Sequence, residues 1–118
     1  MEQPYFNNAA PEQLVRALTG AERILLLCHR RPDGDTVGSA FGLKFMLEAC
    51  SSCRVSVRCA DPMPERLSFL AGGLPFDGRQ DQEPELIAAI DVAAPSMLGA
   101  LREETEGKIG IKIDHHIM

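Results

Sequence analysis

The chain has 118 residues, of which 45% are hydrophobic and 25% charged, the balance of one small globular domain with room for a core. Its 12 Lys and Arg stand against 17 Asp and Glu, a net charge of −5, which excludes a basic sheath for wrapping duplex nucleic acid but leaves arginines to hold a short phosphorylated ligand. No apolar run approaches the roughly 20 residues of a membrane helix, and the N-terminus lacks the basic start and apolar stretch of a secretory signal, so a cytoplasmic protein without a membrane partner is expected.

The segment from Pro11 to Leu18 predicts a short helix with proline in its first turn, closed by Gly20. Ile24 to Cys28 is a continuous apolar run of strand length, as expected of a strand covered on both faces. After the loop His29–Asp35, apolar residues at Val37, Ala40, Phe41, Phe45 and Met46 fall at helical spacing and predict a helix from about Thr36 to Ala49. Arg54 to Cys59 alternates and suits a second, more exposed strand. Pro62 to Leu70 opens like a helix that Gly72-Gly73 stops. Leu86 to Asp91 reads as a third strand, Pro95 to Glu104 as a helix, and Ile109 to Ile113 as a fourth strand. Strands alternating with helical segments imply an α/β fold: a Rossmann-like parallel sheet with helices on both faces.

Four cysteines are present, and Cys50-Ser-Ser-Cys53 has a metal-like spacing. A zinc ribbon needs a second pair, and only Cys59 follows, so reduced thiols are expected.

The chemistry-bearing residues are not scattered. His29, Asp91 and Asp114 each stand at the C-terminal end of an expected strand, and in open α/β sheets that edge binds ligands. The first loop reads His29-x-x-x-Asp33-x-Asp35-x-x-Gly38-Ser39. Imidazole and carboxylate together suit Mn²⁺, Zn²⁺ or Fe, and Pro32 and Gly34 shape a loop that aims both aspartates at one region. Asp35 or Thr36 is expected to cap the following helix, and the same Asp-Gly-Asp is also a common turn and helix cap. Small residues at Gly38 and Ser39 would keep the first helical turn narrow enough for an anion to reach its N–H groups. In Asp114-His115-His116, neighbouring histidines on an extended chain point opposite ways, so one can bind metal while the other turns to substrate or protein. Clustered carboxylates repel one another, and a divalent cation pair resolves that repulsion.

These residues resemble the DHH phosphoesterases. Their first motif looks like His-x-x-Pro-Asp-x-Asp-x-x-Gly-Ser, here CHRRPDGDTVGS from Cys28 to Ser39; their second is an aspartate closing a strand, here AAIDVA around Asp91; their third is Asp114-His115-His116 in IKIDHH. Pro64 to Leu70 is also similar to the stretch after the second strand in the oligoribonuclease/pAp-phosphatase (nanoRNase) branch. The resemblance implies a dinuclear Mn²⁺ site, with Mg²⁺ or Co²⁺ as substitutes. One ion takes His29 and Asp33, the other Asp35 and His115, and Asp91 bridges both. It further implies His116 as the hydrogen-bond donor or proton source facing the scissile phosphate, with Asp114 orienting the histidine pair. The implied reaction is two-metal phosphoester hydrolysis. Arg30 and Arg31, beside the site in sequence, suit a forked contact to a non-bridging phosphate oxygen.

The resemblance departs from the family in two ways. Members carry a further metal-binding aspartate downstream of the double histidine, and a C-terminal substrate domain of the DHHA1 type with a glycine-rich, His-containing motif. Neither is in this sequence, so residues 1–118 read as a single partial DHH domain, cut short on its C-terminal side and expected to be a poor catalyst alone. The uncovered face of the last strand invites self-association, which makes a homodimer one expected assembly. The expected substrates are very short oligonucleotides or a 3′,5′-bisphosphorylated nucleoside. The rivals are a cyclic-dinucleotide phosphodiesterase, a RecJ-type exonuclease, a family II pyrophosphatase, and a module that binds metal or phosphate without turnover.

Overall fold

A computed structural model describes residues 11–80 and 82–113. Four strands, β1 (Arg23–Cys28), β2 (Arg54–Arg58), β3 (Leu86–Ile90) and β4 (Ile111–Ile113), form one sheet in the order β2-β1-β3-β4. Every pairing is parallel, with Leu26 opposite Val57 on one side and Ala88 on the other, and Ile90 opposite Ile113. From β1 the chain steps outward to β2, then returns past β1 to β3. Strand order therefore reverses between β1 and β3, which opens a crevice at their C-terminal ends.

The apolar pattern of β1 explains its central place. Ile24, Leu26 and Cys28 enter one core with Val37, Ala40 and Phe41 of α2 (Gly34–Cys50). Leu25 and Leu27 enter a second core with Ile87, Leu98 and Leu101 on the opposite face. Helix α1 (Pro11–Thr19) contributes Leu18 to the first core. Layers thus cover both faces of the sheet, as expected.

Two expected helices take a different form. The stretch after β2 is a 3₁₀ segment, Glu65–Ala71, preceded by extended Pro64, whose carbonyl accepts from the Leu67 N–H. Gly72, at φ 62°, ends it in the left-handed conformation that glycine tolerates best. The expected helix from Pro95 to Glu104 is split at Gly99 into a 3₁₀ turn, Pro95–Leu98, and α3 (Leu101–Thr105). Gly99 has φ 61°, and a Cβ there would come 3.0 Å from that of Ala60, so close approach to the segment after β2 dictates the break.

The cysteines are free thiols in unlike surroundings: Cys50 is exposed, Cys28 and Cys53 are buried and Cys59 is half-buried. Burial pushes the Cys28 thiol up to about 12 and raises Cys53 and Cys59 as well, which disfavours the thiolate that binds metal or attacks disulfides. Iodoacetamide titration of the folded chain, followed by peptide mass spectrometry, should label Cys50 first and leave Cys28 unlabelled until denaturant is added.

Candidate metal centre

The crevice between β1 and β3 is flanked by the residues that follow those strands. His29 leaves the end of β1 and is 7% exposed; Asp91 leaves the end of β3 and is 4% exposed. The Nε2 atom of His29 stands 3.5 Å from Oδ1 of Asp33 and 3.8 Å from Oδ2 of Asp91. One ligand atom from each of the three residues lies within 4.8 Å of the others.

Each member is held by its local backbone. His29 Nδ1 donates to the Arg30 carbonyl at 2.7 Å, which fixes the tautomer and leaves Nε2 as the atom facing the two carboxylates. Asp33 is the N-cap of α2, and its Oδ1 accepts from the Thr36 N–H at 3.0 Å. The cap is therefore Asp33, not Asp35 or Thr36, because its carboxylate precedes the first helical turn and reaches the free Thr36 N–H, and the same carboxylate faces the histidine. Asp91 has φ 60°, a left-handed conformation that Asp adopts more readily than most residues, and its N–H donates to the Ile113 carbonyl. The carboxylate is thereby turned at the strand end while its backbone stays tied to β4.

With Nδ1–H given to the Arg30 carbonyl, Nε2 is the ring atom left to face two carboxylates, a grouping that a cation among them stabilises. One nitrogen and two carboxylate donors are also the set that first-row divalent metals accept. The three residues therefore fit a metal by the chemistry of their donors and by their spacing.

Of the other expected site residues, Asp35 lies exposed in the first turn of α2, outside this group of three. Gly38 faces the 3₁₀ segment, with Leu70 at ordinary contact distance from the position of a Cβ, and Ser39 is exposed one position on. Arg30 and Arg31 are exposed, and neither makes an ion pair among the described residues. Asp114, His115 and His116 lie outside the described residues.

Two supporting residues escape a reading of motifs. Arg31 has φ 52°, and its N–H donates to Oδ2 of Asp61 at 2.6 Å. Asp61 follows β2 at the same sheet edge, and that position was the available signal. Thr36, fully buried, donates its hydroxyl to the Ile90 carbonyl at 2.9 Å, tying the start of α2 to the end of β3. A threonine inside an apolar helical stripe gives no hint of this bond.

Residues 23–118 match the profile of the DHH family, N-terminal domain. The chain belongs to the DHH family. Within that DHH domain the first motif is the β1–α2 loop, and the second is the turn at Asp91. An exopolyphosphatase-related protein from Bacteroides fragilis has a similar fold, with a TM-score of 0.75 and 23% identity. The match covers 91% of this chain and 34% of that protein, so the DHH domain spans about a third of its neighbour's length.

The double duty of Asp33 separates two variants. Asp33→Asn keeps an N-cap side chain, so its unfolding free energy in EDTA should match that of the parent. Asp33→Ala should lose about 1 kcal/mol by denaturant titration. Both should weaken divalent-metal binding measured on the folded protein.

Proposed function

We propose that the DHH domain belongs to a Mn²⁺-dependent phosphoesterase that hydrolyses very short oligonucleotides or 3′,5′-bisphosphorylated nucleosides. The observation that carries this reading is the convergence of His29, Asp33 and Asp91 on one point of the crevice where strand order reverses. Family membership supports phosphoester chemistry, and the three residues supply donors suited to that chemistry's metals.

In this proposal His29, Asp33 and Asp91 would hold one ion, and Asp91, Asp35 and His115 a second. When bound, the ions would supply Lewis acidity at the phosphoryl oxygen and bring the pKa of bound water close to neutral. The chain's own residues do the rest. The Arg30 carbonyl, by accepting from His29 Nδ1, keeps Nε2 aimed inward. The Asp61 carboxylate holds the Arg31 backbone in its left-handed turn, and in this proposal the exposed Arg31 side chain takes a non-bridging phosphate oxygen. His116 donates a proton to the leaving oxygen, and Asp114 orients the histidine pair. Phosphate charge is met by ions and arginines at the site, so the net charge of −5 is no obstacle to a small substrate.

Calorimetry on the chain tests the metal. Mn²⁺ should bind more tightly than Ca²⁺, because a histidine donor disfavours calcium. Asp91→Ala should abolish Mn²⁺ binding, and unchanged binding would refute the bridging role. Turnover of a dinucleotide, pAp, a cyclic dinucleotide and polyphosphate then ranks the substrates. His115→Ala should lower metal affinity, whereas His116→Ala should leave metal bound and cut turnover by about 10²-fold or more, the usual contribution of acid–base catalysis.

A further inference from the structure

On the face of the sheet away from α2 lies a cavity of about 420 Å³, within the usual range for small-molecule sites. It does not include His29, Asp33 or Asp91. Its lining runs from Arg23 at the start of β1 to Arg58 of β2, which pairs with Leu27, two residues before His29. Leu25 and Ile87 give it an apolar base; β2 forms one wall, α3 and Lys108 a second, and Arg79, Gln80, Gln82, Glu83 and Pro84 line a third side.

The charge of this cavity runs against that of the whole chain. Five arginine or lysine side chains line it against two carboxylates among the described residues, in a protein of net charge −5. The alternation of β2 creates the imbalance. Val55 and Val57 enter the core with α2, so Arg54, Ser56 and Arg58 face the cavity. Glu104 is shared between two guanidiniums, 3.3 Å from Arg58 and 3.7 Å from Arg79. Arg54 and Lys108 have no carboxylate within ion-pair distance among the described residues. Fixed cations over an apolar floor, in a concavity that lowers the local dielectric, attract anions more strongly than scattered surface charges do.

We infer that this cavity binds a small phosphorylated molecule with an apolar or aromatic part, of the nucleoside-monophosphate class, at a site separate from the metal centre. The phosphate lies between Arg54 and Lys108, and the flat part rests on Leu25 and Ile87. The connection closing the third side favours a compact ligand over an extended chain.

Calorimetry of the 118-residue protein with adenosine 5′-monophosphate, in EDTA throughout, tests this without involving a metal-loaded centre. Binding is expected, with adenosine and inorganic phosphate each weaker. Arg54→Glu combined with Lys108→Glu should weaken it by about tenfold or more. Both positions are exposed, so circular dichroism and the melting temperature should show an intact fold. Asp91→Ala should leave binding unchanged. No binding of the nucleotide in EDTA, equal binding by the double variant, loss of binding in Asp91→Ala, or adenosine binding as tightly as its phosphate would each overturn the inference. None of these results bears on Mn²⁺ binding at His29, Asp33 and Asp91.

Discussion

Strand β1 is apolar on both faces and hydrogen-bonded along both edges, and the rest of the domain is arranged around that condition. Five consecutive buried residues, Ile24 to Cys28, cannot lie at an edge or against solvent without exposing a run of aliphatic surface. Two cores follow, one on each side, and so does the central place of β1 between β2 and β3. A strand so enclosed admits polar side chains only where it ends. His29 is the first residue past that end, and the return crossover brings Asp91 to the same level from the neighbouring strand. The candidate metal centre is thus a product of sheet topology as much as of motif.

The long elements were legible because their apolar residues are numerous and regularly spaced. Strand β1 and helix α2 were expected within a residue or two of where they lie. The two 3₁₀ segments were not, since an apolar residue at every third or fourth position suits a 3₁₀ turn as well as an α-helix over so short a length. What decides at Gly99 is tertiary, its close approach to Ala60 at a positive φ, and that is not written in local sequence. At Glu65 the extended Pro64 before it sets the entry, which is a local signal.

At the site, the donors were legible and their supports were not. His29, Asp33 and Asp91 are recognisable because their residue types are chemically conspicuous and end predicted strands or loops. Asp61 and Thr36 act through the main chain: one carboxylate on a backbone N–H, one hydroxyl on a strand carbonyl. Such bonds depend on which elements become neighbours, and Thr36 meets Ile90 across 54 residues of chain. Periodicity reports which face of an element is buried but not which carbonyl it will meet there.

The close approach at Gly99 carries its effect beyond its own turn. A side chain there would press on Ala60 and also on Arg30, whose own N–H is held by the Met97 carbonyl two positions before that glycine. Arg30 in turn supplies the carbonyl that sets the ring of His29. A linkage therefore runs from Gly99 to the imidazole through the Arg30 side chain, its N–H on the Met97 carbonyl and its carbonyl on the ring. A lesion at this glycine would surface as a displaced His29 ring, in a residue that no inventory of candidate ligands contains.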